Sequence, residues 1–222
     1  MSVLREIFSH RGQTFSDPPL ARALFNSTEL AWLWLIARVW LGYQWIVAAS
    51  HKLDDPRWMS TGEAMRSFWE RAVKVPAAPA KPAIAYDWYR DFIELLLDGG
   101  HYVWFAKLIT ISELMVGVAL VLGAFVGIAA FAGAFMNWHF MMAGTASINP
   151  AMIVVSFLLV LAWKTAGWWG LDRWFLPAVG TPWQPGGLPV FLGKRLRRPS
   201  LVLRPRPGSG LGPTPSGGGT AD

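Results

Sequence analysis

The sequence predicts an all-α integral membrane protein, a four-helix transmembrane bundle with two amphipathic helices in the loop between spans 1 and 2. Three observations predict it. Hydrophobic residues fill 53% of the 222 positions and charged residues only 15%, against roughly 25% charged in soluble domains. Four apolar runs recur, at about 30–50, 102–122, 128–143 and 151–169, close to the length that crosses a hydrocarbon core. Tryptophans, 14 in all, gather near the ends of these runs, as interfacial aromatics do.

Residues 1–28 read as a polar cytoplasmic lead-in. They carry Arg5, Arg11 and Arg22, with no apolar segment before a small-residue cleavage site, so no cleavable signal peptide is expected. The first span, Leu30–Ser50, is interrupted by one charge, Arg38, and closed by His51 and Lys52. Residues 53–100 are too long for a bare loop. Apolar residues recur at helical spacing over Gly62–Val75 and over Tyr86–Leu97. Two amphipathic helices lying on the membrane or capping the bundle are expected there, outside the membrane.

The second span covers Tyr102–Leu122, and Gly123 and Gly127 bracket the next turn. The third is rich in alanine and glycine, which let helices approach closely, and it carries Asn137 and His139. The turn Gly144–Pro150 leads into the fourth span, Ala151–Trp169. The membrane domain so defined is 29–177. Residues 178–222 form a basic, Pro- and Gly-rich tail, expected to be disordered. Basic residues near the spans place both termini in the cytoplasm. The net charge of +6 is concentrated in this tail, where an anionic lipid surface accounts for it. No nucleic-acid partner is needed.

The chain has no cysteine. Its own residues therefore supply no thiol–disulfide chemistry, no cysteine-ligated iron–sulfur cluster and no thiolate metal site. What the apolar spans do contain is a carboxylate, Glu113, midway along the second. An ionisable residue there is costly and marks a functional site with a partner. Arg38 lies 13 residues before His51, and Glu113 lies 12 after His101. In antiparallel helices those counts put the two at one level, so an Arg38–Glu113 pair is expected. Such a pair either fixes helix register or floors a polar cavity, binding an anionic or quinone headgroup or passing a proton.

His51, His101 and His139 fall toward the outer face. No histidine spacing calls for a bis-His haem, and no metal site is expected. A quinone headgroup needs a proton-exchanging side chain and hydrogen-bond donors for its oxygens. Tyr43, Trp45, Asn137 and His139 are candidates for that contact.

The chain resembles the DoxX/DoxD family of bacterial and archaeal membrane proteins over roughly residues 30–177. The resemblance rests on ARVWLGYQWIVAASHKL (Ala37–Leu53), ISELMVGVALVLGAF (Ile111–Phe125), Asn149-Pro150 before the last span, and GLDRWF (Gly170–Phe175). The insert with WYRDFIELLL (Trp88–Leu97) is more similar to DoxD, the membrane subunit of thiosulfate:quinone oxidoreductase. Ser112 stands where the family usually has Gly, as does Ser50. The resemblance implies a plasma-membrane subunit that passes electrons from thiosulfate to membrane quinone, with a small DoxA-like partner subunit. It carries Arg38, Lys52, Glu113 and Asn149 over as motif positions. On this reading Glu113 and Arg38 are the catalytic candidates. Lys52, His51, His101 and Asn149 join the others as substrate- or quinone-binding candidates. The alternative is a non-catalytic scaffold that anchors soluble redox or stress-response proteins at the membrane.

Overall fold

The computed structural model describes residues 16–179, and every regular element among them is a helix. In chain order these are α1 Pro19–Phe25, α2 Ala31–Leu53, α3 Pro56–Met59, α4 Glu63–Ala72, α5 Asp87–Asp98, α6 Tyr102–Leu122, α7 Val126–Met142, α8 Asn149–Leu161 and α9 Asp172–Val179. The basic residues of the C-terminal tail, and the first half of the N-terminal lead-in, lie outside the described residues.

Four helices form the body. α2 packs along α6 and α7 along α8, while α6 also meets α7 and α2 meets α8. The result is a ring of four with α2 and α7 across its diagonal. The sequence allows the closest of these approaches through glycine. A Cβ on Gly117 of α6 would stand 2.9 Å from the Gly42 carbonyl oxygen of α2, so both positions must lack one for the backbones to cross there. Trp45 spans the diagonal, its indole against Gly133 of α7. Leu41, Trp45, Leu120, Val126 and Leu159 fill the centre.

The connection from α2 to α6 folds as a cap over one end of the ring. Its helices α4 and α5 occupy the two stretches with helical periodicity. Met65, Trp69 and Ala72 of α4, with Tyr89 and Ile93 of α5, bury their apolar stripes against Ala106 and Ala143. The opposite stripes carry Glu63, Glu70, Asp87, Asp91 and Glu94, which are half-buried or exposed. At the N-terminus α1 folds back on α2: the Trp34 indole donates to the Leu24 carbonyl at 2.8 Å, and Phe25 stacks on Trp34.

The last run of the body differs from expectation. The α-helix ends at Leu161, and residues 162–169 continue as successive tight turns. Thr165 turns its hydroxyl back to the Ala162 carbonyl, and Gly167 and Gly170 follow, residues that hold a helix poorly.

The bundle is apolar on its outer surface as well as in its core. Large apolar side chains stand exposed along all four body helices: Trp32 and Ile36 on α2, Leu108 and Met115 on α6, Ile128 and Phe131 on α7, Val154 and Phe157 on α8. Arg38, Glu113, Asn137 and Asp172 are buried. By length and composition one described helix, Tyr102–Leu122, is sufficient to cross a membrane, and Val126–Met142 and Asn149–Leu161 are shorter apolar helices.

Candidate functional site

Glu113 is 1% exposed and finds its partner on α2, but the partner is Lys52. The Lys52 ammonium donates to both carboxylate oxygens, at 2.5 and 2.6 Å. The same Nζ lies 4.9 Å from the Trp58 ring and 5.7 Å from the Phe140 ring. One carboxylate and two aromatic faces thus enclose the cation, which is a favourable setting for a charge taken out of water.

The expected Arg38–Glu113 pair does not form. The Gly42–Gly117 crossing sets the register: Arg38 lies level with Val121, and Glu113 level with Ile46. That separates the two by about eight residues, or about 12 Å along the axis. His51 and His101 are not level. α6 begins beside Gly62, where a Cβ would meet the Val103 backbone, so it starts well beyond the end of α2. The Lys52 side chain reaches back down to Glu113 across that offset.

Arg38 instead closes the other end of the bundle. Its guanidinium donates to the carbonyls of Leu120 and Val121 at 2.7 and 2.6 Å and to Trp169 at 2.9 Å. Leu120 and Val121 belong to the last turn of α6, where the Leu120 carbonyl also takes the Gly123 amide at 3.2 Å, and a cation there suits the helix dipole. Gly123 sits at φ 68° with the Arg38 guanidinium 2.8 Å from where its Cβ would be, so no side chain fits. Asp172 completes the closure by accepting the amides of Phe125 and Val126 at 2.5 and 2.9 Å, at the N-terminus of α7. Burial pushes the Asp172 carboxyl up from its ordinary value, while those two amides and the charge of Arg38 act against it.

Two cavities lie at the capped end. The first, of about 570 Å³, contains the Lys52–Glu113 pair, with Arg57, Arg71 and Asn149 on its wall. Glu113 balances Lys52, and Arg57 and Arg71, both exposed, add positive charge at the solvent-facing side of the cavity. The second, of about 410 Å³, is lined mostly by apolar and aromatic side chains, with Tyr89, Ser112 and His139 among them. Met65, Phe68 and Phe140 line both, so three side chains form the partition.

In the apolar cavity the Tyr89 hydroxyl stands 3.1 Å from His139 Nδ1 and 3.1 Å from the His139 carbonyl. Burial pushes the Tyr89 phenol up to about 12, so it is a neutral donor at physiological pH. The other ring nitrogen of His139, Nε2, makes no hydrogen bond to the described residues.

The remaining predicted residues separate cleanly. Trp45 and Asn149 line the polar cavity; the Asn149 amide also donates to the Thr145 carbonyl at 3.0 Å. Asn137 is fully buried, with neither amide atom hydrogen-bonded within the described residues, and it lines neither cavity. Tyr43 is 61% exposed on the outside of α2. His51 and His101 are exposed and line neither cavity; His101 accepts from the Trp104 indole at 3.2 Å.

Arg57, Arg71 and Tyr89 were not foreseen as site residues. Arg71 shares a face of α4 with Ala64 and Phe68, a spacing legible in the sequence. Tyr89 sits on the apolar stripe of α5, and a phenol buried there requires a partner. Asp55 caps α3 through the Arg57 amide, and Arg57 itself is exposed, so no sequence signal marks it as a cavity residue.

The chain matches no family model, no curated protein and no solved structure.

Proposed function

We propose that this chain is a four-span membrane protein and the membrane subunit of a sulfur-compound:quinone oxidoreductase, as its resemblance to DoxD suggests. The exposed apolar side chains of α2, α6, α7 and α8 support the membrane reading: water disfavours a surface of that extent, and lipid does not. α2, α6, α7 and α8, the last extended by the turns to Trp169, are the four spans. The cap lies outside the plasma membrane and the Arg38–Asp172 end lies at the cytoplasmic side.

The observation that carries the functional reading is the pair of cavities with one partition. A basic cavity suits a sulfur oxyanion such as thiosulfate, whose charge Arg57 and Arg71 neutralise. Lys52, held by Glu113, adds a cation whose charge an arriving dianion would share. Joining two thiosulfates through their terminal sulfurs makes one S–S bond, forms tetrathionate and releases two electrons. A quinone takes those two electrons and two protons from water to become the quinol. The partition of Met65, Phe68 and Phe140 is the short path between donor and acceptor. A small DoxA-like subunit would dock on the outer cap.

The test uses the full chain in lipid nanodiscs, alone and with a co-expressed partner subunit, supplied with thiosulfate and decylquinone. Loss of quinone absorbance is expected. Replacing Arg57 and Arg71 with alanine should raise KM for thiosulfate at least tenfold, and Glu113→Gln should lower kcat. If no quinone is reduced in either preparation while pull-downs recover soluble proteins, the scaffold reading takes its place.

A further inference from the structure

Within the oxidoreductase reading, we propose that the apolar cavity is the seat of the quinone ring, with His139 as the hydrogen-bond partner of a ring oxygen and Tyr89 as the residue that positions it. The cavity's size falls within the range of about 300–1,000 Å³ typical of small-molecule sites. Phe68, Trp69, Phe105, Phe135 and Phe140 give it flat apolar walls, which suit a planar ring. Its rim includes Leu108 of α6 and Phe135 of α7, both exposed on the apolar outer surface of the bundle. A ligand dissolved in the bilayer therefore reaches it sideways between these two helices, with its tail left in lipid.

The Tyr89 hydroxyl has one proton and two partners at 3.1 Å, the His139 carbonyl and Nδ1. Turned to the carbonyl, it receives a hydrogen bond from Nδ1–H and leaves Nε2 to accept from a quinol hydroxyl. Turned to Nδ1, it leaves the imidazole proton on Nε2, which donates to a quinone carbonyl. Tyr89 thereby ties the tautomer of His139 to the redox state of the ring. The walls hold no charged side chain, so the cavity rejects the sulfur oxyanion and keeps the two substrates apart. Asn137, expected from sequence to hold the quinone, stands outside this cavity.

The full chain in nanodiscs is photolabelled with an azido-substituted decylquinone, and its affinity for decylquinone is read by quenching of tryptophan fluorescence. Label is expected in the peptides spanning 86–97 and 132–143. Tyr89→Phe and His139→Gln should each weaken quinone binding about tenfold, the loss of roughly one hydrogen bond. In turnover, Tyr89→Phe should raise KM for quinone and leave KM for thiosulfate unmoved, which general loosening of the cap would not do. Ala132→Phe, which fills the cavity from its wall, should abolish labelling even if Tyr89→Phe disturbs folding. Label elsewhere, or affinity unchanged in both Tyr89→Phe and Ala132→Phe, overturns the seat. Binding that follows the expected pattern without thiosulfate-dependent reduction upholds the seat and defeats the sulfur reading. Reduction that persists in both variants at unchanged quinone KM defeats the seat alone.

Discussion

Lys52 and Glu113 illustrate how a buried charge pair behaves when one member is removed. Lys52→Met leaves the Glu113 carboxyl without its counter-ion in a site 1% exposed, which should cost about 3–5 kcal/mol. The double variant Lys52→Met with Glu113→Gln should recover most of that loss. Thermal unfolding of the single and double variants in detergent gives the coupling directly. Arg38 should behave differently, since its partners are carbonyls. Arg38→Met should cost about 2–4 kcal/mol by stranding the end of α6, and Arg38→Lys should restore only part, because one ammonium cannot span Leu120, Val121 and Trp169. The sequence made all three ionisable residues visible, since each interrupts or closes an apolar run. It hid their pairing, because that depends on where α6 starts relative to α2, and the offset is created by the chain between them. Counting from helix ends assumes that the ends are level.

At the scale of elements, the helices of the cap were legible because amphipathic periodicity is local. Their consequence was not, because which stripe faces which helix is set only when α4 meets α6. Tyr89 gives a measurement at this scale. Its phenol ordinarily ionises at 10.0 and is raised to about 12 by burial. Between those values the unfolded chain has lost the proton and the folded chain keeps it. Stability therefore falls as pH rises through the window, and is unaffected by this group below it. The unfolding midpoint of the parent protein should drop more steeply above pH 10 than that of Tyr89→Phe. The crossing of α2 and α6 supplies a second test. Gly117→Val would drive a side chain into the Gly42 carbonyl and force the helices apart, which should prevent stable folding or cost more than about 3 kcal/mol. Circular dichroism on heating distinguishes it from Ala119→Val, a change on a half-buried position of the same helix.

For the whole molecule, the four-span reading proposed above assigns each end of the bundle to a compartment. Glu113 and Lys52 lie under the cap, and Arg38 and Asp172 lock the far end, so the bundle is polar at both ends and apolar around its waist. A chain with no cysteine allows a direct test, because any thiol introduced is the only one present. Single cysteines at Ser60, in the cap, and at Ala146, between α7 and α8, should react in intact cells with a thiol reagent that cannot cross the membrane. Cysteines at Ser16, before α1, and at Ala124, between α6 and α7, should react only after the membrane is opened. Because α6 and α7 share the short turn at 123–125, labelling of Ala124→Cys together with Ser60→Cys from outside would mean that α6 does not cross. Labelling of Ala146→Cys from inside alone would mean that α7 does not. Either result would remove the four-span reading, and with it the sideways route to the apolar cavity, while leaving the helical bundle as described.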